Sequence, residues 1–388
     1  MSGLTITVAA GPHDRRFAPL KVVVDTPTGA TFAELLPAGL REKDIPPPAI
    51  VAQIDPTDGG KAEMTFIVPW LKQNSSITYD VVFKEGSAPA GVALKQDGDD
   101  VDISILGETL GRYYTDTDKF MRPFIHPVMG PFGHSVTRGA PVEPRPGETE
   151  DHSHHKSLWV AHGDTNGTDN WHVGGIQKQK EVIRCNSGAV YGVLETTNEW
   201  ISIEGRKDCE DHRTWTFWAL PNGQRFIDLD IDLIATEGDL ELGDTKEGGI
   251  MSIRVATVMD VPRTGRIRNA EGGVDEDETW GKRSAWCDYS GLDEGGNAVG
   301  VTIMNSPNSF RYPTYWHVRN YGLMTANPFG LSHFYENSPI DADGTHVVPA
   351  GEKISFGYRL YVHAGDADGG HVADMFHSYI APAKVTVK

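Results

Sequence analysis

Cysteine is scarce in this chain of 388 residues: Cys185, Cys209 and Cys287 are three in number and far apart. That excludes a disulfide framework and suits a reducing compartment, with the three thiols expected in the core. Positive charge is also in deficit. Lys and Arg total 35 against 54 Asp and Glu, a formal net charge of -19, so the overall field repels polyanions and nucleic acid is excluded as a partner. No run of about 18 apolar residues occurs, which leaves no membrane span to expect. The first residues, Met1-Ser2-Gly3-Leu4-Thr5-Ile6-Thr7-Val8, lack the basic start and apolar core of a secretory signal, and the expected location is cytoplasmic. No Gly-x-Gly-x-x-Gly opens a helix after a strand, so no nucleotide cofactor is expected.

What the chain does have is strand-like alternation. Ile227-Asp228-Leu229-Asp230-Ile231-Asp232-Leu233 puts every aliphatic side chain on one face and every carboxylate on the other. The acidic row reads as a solvated strand face, since no Gly-containing ligand loop surrounds it. Similar patterns run over Lys353 to Val362, Val101 to Ile105 and Thr214 to Trp218, separated by loops drawn from 43 glycines and 24 prolines. Many strands and few helices predict an all-β protein. A small-residue stretch from Glu85 to Gly91 marks a boundary. Residues 1–88 suit a small immunoglobulin-like sandwich, and residues 89–388 are too many for an ordinary sandwich but suit a large β-supersandwich.

Seven of the fifteen histidines fall between His126 and His172, around the segment Asp151-His152-Ser153-His154-His155. Imidazole is the side chain best suited to proton transfer near neutral pH and to binding divalent transition metals. If the segment is extended, His152 and His154 share a face and His155 points away. With a third ligand from His126, His134, His162 or His172, His152 and His154 would then hold a divalent metal. The metal-free alternative is a sugar or acid pocket in which one histidine is the general acid or base. His-x-His-His matches no zinc-finger or metalloprotease spacing, so both readings stand.

Several motifs in order resemble one family: Arg122-Pro123-Phe124-Ile125-His126-Pro127, the histidine segment, Leu158-Trp159, His162-Gly163 and Asn166-Gly167. Later come Lys246-Glu247-Gly248-Gly249, Arg254-Val255-Ala256, Trp286-Cys287-Asp288-Tyr289, Trp316-His317-Val318-Arg319-Asn320-Tyr321 and Asn327-Pro328-Phe329-Gly330. Over roughly residues 92 to 366 the chain is similar to the uncharacterised bacterial family labelled "methane oxygenase PmoA-like". Lys156-Ser157 departs from it, since the family more often has arginine then glycine there. A membrane-embedded oxygenase subunit is at odds with a chain that has no span. The resemblance implies instead a galactose mutarotase-like supersandwich acting in carbohydrate metabolism.

On that basis the expected function is a carbohydrate-active enzyme, a glycoside hydrolase or carbohydrate lyase using acid-base chemistry. His152, His154 or His162 would move the proton, Glu247 would be the partner carboxylate kept ionised by Lys246, and Arg254 and Arg319 would stabilise negative charge. Arg122, His126, His155, Trp159, Asn166, Trp316 and Asn327 would contact a small-molecule or oligosaccharide substrate. A divalent metal on His152 and His154 would acidify a bound water. The competing expectations are a metal-dependent oxygenase or oxidoreductase, and a non-catalytic carbohydrate-binding protein whose N-terminal sandwich makes a homo-oligomer.

Overall fold

The structure, a computed structural model, describes residues 4–38 and 49–388. Residues 1–3 and 39–48 of the expected N-terminal unit therefore lie outside the described residues. The chain is all-β, a sandwich-like arrangement of large antiparallel sheets. The described helices are short, the longest being Val372–Ile380. None is long and apolar enough to cross a membrane.

The first sheet has seven strands, from Arg15–Asp25 at one edge to Thr5–Ala9 and then Lys384–Val387 at the other. The last strand thus returns to the beginning of the chain, with the Lys388 amide donating to the Thr5 carbonyl at 2.9 Å. Its core includes Ile6, Val8, Leu20, Met64 and Phe66. The stretch from Glu85 to Gly91 falls between strands Ser76–Lys84 and Val92–Asp97, at the passage to the larger sheets.

Two eight-stranded sheets make up most of the remainder. One runs from Trp316–Arg319 through Leu323–Ala326, Gly248–Arg254, Leu158–His162 and Phe124–His126 to Glu108–Tyr114, Asp100–Ile105 and Val92–Asp97. The other contains Lys207–Trp218, Arg225–Ile234 and Lys353–Ala364 side by side. Alternation explains their packing. Ile227, Leu229, Ile231 and Leu233 are buried against Leu158, Val160, Ile250 and Ile253 of the facing sheet. Each fully buried aliphatic contributes about 1.5–3 kcal/mol. On the opposite face Asp228 pairs with Arg359 and Asp232 with Lys353, while Asp230 is exposed. Cys209 and Cys287 are buried and Cys185 half-buried.

The outer face of the first eight-stranded sheet is where the motifs collect. A register shift between Trp159 and Ala161 against strand Gly248–Arg254 is a bulge, which re-aims side chains locally. Leu158 and Val160 enter the main core, whereas Trp159 and Ala161 join Phe120, Phe124, Trp171 and Leu323 in a separate aromatic cluster outside the sheet.

Candidate functional site

Residues 151–156 are not extended. His152 has φ 47°, and the His155 amide donates to the His152 carbonyl at 2.9 Å, closing a turn. The expected pairing of His152 with His154 is therefore corrected. The turn brings its first and last residues to one side, and the His152 and His155 rings stack at 4.9 Å and 11°, with His154 edge-on to both. The left-handed conformations of His152 and Ser157 (φ 73°) are strained for residues with side chains, and such strain concentrates at functional sites. Lys156 donates from Nζ to the Ser153 carbonyl at 2.8 Å and so braces this turn. Burial lowers it to about 8.

One carboxylate organises the turn. Asp151 Oδ1 accepts from His152 Nδ1 and Arg138 Nη1 and forms an ion pair with Arg254 Nη2, each at 2.9 Å. The two guanidinium side chains are 0% and 1% exposed. Burial alone would raise the Asp151 carboxyl, but the His152 hydrogen bond and the Arg254 and Arg138 charges outweigh it and hold it below the ordinary range. With its Nδ1 proton held by Asp151, the half-exposed His152 presents Nε2 as a base. Arg254 also donates from Nη1 to His155 Nδ1 at 3.1 Å. A guanidinium has no acceptor, so His155 carries its proton on Nε2.

The other side of the cluster comes from the sheet edge. Tyr321 stacks on His152 at 4.9 Å and 10°, with the Arg254 and Arg319 guanidiniums 4.9 and 5.6 Å from its ring centroid. Arg319 pairs with Glu276 at 2.8 Å. His317 accepts from the Trp280 indole at Nδ1, 3.0 Å away, which again leaves the proton on Nε2. Burial, with the Arg319 and Lys246 charges, lowers His317 to about 3. Glu247 is bonded to Lys246 and raises the Tyr321 hydroxyl electrostatically, a smaller effect than burial. Asn327 positions this loop: its Nδ2 donates to the Thr245 and Lys246 carbonyls at 2.9 and 3.1 Å. Its Oδ1 accepts from the Phe329 amide and fixes the turn.

A second loop brings Trp171 and His172 to the cluster. The fully buried Arg122 donates to the Trp171 and His172 carbonyls at 2.9 and 3.2 Å, and burial lowers it to about 10. Its role is to hold the loop. Trp159 stacks on His155 at 5.3 Å, and Trp159 and Trp171 are both fully buried.

The remaining expected site residues stand elsewhere. His162 is fully buried against Phe329, its Nε2 bonded to the Gly243 carbonyl at 3.1 Å. His126 is buried near Glu143. Burial lowers both to about 4. Trp316 lies in the inter-sheet core, donating to the Ser284 carbonyl at 3.0 Å, and offers no stacking face. Asn166 holds a turn by accepting from the Glu241 amide at 2.7 Å. His134 lies beside Gly295. Sequence reasoning missed Asp151, Arg138, Tyr321, His317, Glu276 and Asp169 as site residues; Asp151, His317 and Tyr321 stand inside the motifs given above, which was the available signal.

Among the described residues no three His, Cys, Asp or Glu side chains converge as metal ligands. Among the described residues the expected metal pair, His152 and His154, edge-on with ring centroids 5.6 Å apart, has no third ligand converging with it. An apolar cavity of about 310 Å³ between the seven-stranded sheet and the larger sheets is lined by Phe17, Val51, Ile67, Leu106 and Val190 and contains no titratable group, hence no acid-base chemistry.

A sequence model described as "Family of unknown function (DUF6807)" matches residues 100–377. No curated protein matches the chain.

Proposed function

The chain belongs to this family of unknown function, and from that premise we propose a carbohydrate-active enzyme that works by imidazole acid-base chemistry, of the lyase type. The observation that carries the reading is the Asp151-His152 pair, half-exposed and anchored by two buried guanidiniums. An oriented imidazole with an open Nε2 is a general base. Arg319 and Lys246 are the cations that stabilise developing negative charge.

The balance of carboxylates favours a lyase over a hydrolase. Two-carboxylate glycoside hydrolysis needs one protonated acid beside an ionised partner. Here Glu247 and Glu276 are ion-paired with Lys246 and Arg319, and Asp151 lies below the ordinary range. Asp260, raised to about 6 by burial, is only 6% exposed and sits behind the site near Gly322. Elimination needs a base and cations beside a carbonyl or carboxylate, and these groups are at hand. The substrate class is then a sugar acid or its oligosaccharide. A mutarotase-like architecture and a carbohydrate role belong to this same reading, as does the cytoplasm as the setting.

The test is a screen of uronic-acid oligosaccharides for the ultraviolet absorption of an unsaturated product. The expected result is turnover that His152→Gln lowers by about 10²–10⁴-fold while the core variant Trp316→Phe retains it. Saturable binding without turnover, unchanged by His152→Gln, would overturn the proposal in favour of a non-catalytic binding protein.

A further inference from the structure

We infer that His172, oriented by Asp169, is the second proton-transfer group of this site, giving a proton to the departing oxygen while His152 takes one from carbon. The inference rests on the carbohydrate-lyase reading and adds the acid that reading lacks.

Asp169 Oδ2 accepts from His172 Nδ1 at 2.8 Å, the same arrangement that Asp151 makes with His152 at 2.9 Å. The two imidazoles are exposed to the same degree, 40% and 41%, and both meet the ring of His154, at 4.5 and 5.6 Å. Two carboxylate-oriented imidazoles thus flank one neutral imidazole. Shaping the loop does not require the second pair. Asp169 Oδ1 already accepts from the Trp171 and His172 amides, each at 2.9 Å, and Arg122 holds the carbonyls of the same two residues. The ring contact through Oδ2 is additional to these. His172 Nε2 makes no hydrogen bond to a described residue, so its exchangeable position is open to solvent or substrate. The charged and titratable groups that face it are Asp169, His154 and Arg122.

The chemistry closes without a further reagent. His152 Nε2 takes the proton from the carbon beside the substrate's carboxylate, and that C–H pair becomes the new C=C bond. The C–O bond at the neighbouring carbon breaks, and protonated His172 transfers its Nε2 proton to the leaving oxygen. His152 ends with one proton more and His172 with one fewer. Both are exposed enough to reset through water.

The test begins on the whole chain without substrate, by long-range ¹H–¹⁵N correlation of histidine-labelled protein assigned with His152→Gln and His172→Gln. The expected result is reversible titration of His172 at Nε2 with Nδ1 protonated throughout, and inversion of its neutral tautomer alone in Asp169→Asn. A His172 that does not titrate, or rests with its proton on Nε2 in the wild type, overturns the inference. With the substrate from the screen, His172→Gln is expected to lower kcat by about 10²–10⁴-fold and remove the limb of the pH profile set by the acid, leaving KM within about twofold. An unchanged pH profile in His172→Gln overturns the inference and leaves the His152 assignment standing. Undiminished turnover in His152→Gln instead overturns the underlying reading.

Discussion

Asp151→Asn separates charge from shape at the centre of the site. The substitution keeps an oxygen where Oδ1 accepts from Arg138 and His152 and pairs with Arg254, each at 2.9 Å, and removes the negative charge. Hydrogen bonds to charged groups contribute about 1.5–3 kcal/mol each, and losing the charge roughly halves them. Asp151 is 41% exposed, so water screens part of the loss. A destabilisation of about 2–3 kcal/mol is expected at neutral pH. Unfolding entropy of about 2.1 cal/mol/K per residue over 388 residues converts this to a fall in Tm of about 3 °C if the chain melts as one unit. The pH dependence has a definite sign. The folded carboxyl lies below its ordinary value, so its stabilisation is complete above about pH 4 and fades as the pH falls further, through the folded value. Differential scanning calorimetry of both proteins from about pH 7 down to pH 2 reads this directly. Coincident melting at pH 7, or a gap that does not narrow in acid, would refute the claim that this charge compensates the two guanidiniums.

Two further outcomes follow from burial. His126, His155, His162 and His317 are 0–2% exposed, and burial lowers His126 and His162 to about 4, His317 to about 3 and His155 well below its usual value. Each gains a proton on unfolding below about pH 6.5, so stability is intact above that pH. It is expected to fall by up to about 1.4 kcal/mol per pH unit for each imidazole as the pH drops toward 4; a flat melting temperature between pH 7 and 5 would contradict this. Arg122→Ala removes the donor to two loop carbonyls and is expected to cost about 3 kcal/mol. It should also speed hydrogen exchange at the Ile203 amide, which bonds Gly174 of the same loop at 2.9 Å, and protection equal to wild type would sink the bracing role.

The fold was legible where the sequence period reports which face is wet. Ile227 to Leu233 alternates without interruption, and all four aliphatics are buried. The site was legible only in part because its geometry depends on backbone reversals that composition does not encode. His152 enters a left-handed turn, so counting along an extended strand put it with the wrong neighbour. His126 and His162 lie within a few dozen residues of the cluster, yet one occupies a different strand and the other follows the bulge at Trp159, and both end among core groups. His317, Tyr321 and Glu276 arrive from a strand, the turn that follows it and a helix far along the chain. Only pairing of strand Leu323–Ala326 with Gly248–Arg254, itself paired with Leu158–His162, brings that edge to the histidines.

Strand Lys384–Val387, which closes the seven-stranded sheet beside Thr5–Ala9, has a consequence for biosynthesis. Translation makes Thr5–Ala9 long before Lys384–Val387, and the edge that the later strand covers stays unpaired until that strand is made. During that interval it is an open template for another strand. Nascent copies on one message are therefore exposed to swapping this strand between neighbours. A circular permutant that links the two strands through a short loop would form the pair locally, and its yield against the natural order measures how far late closure limits assembly.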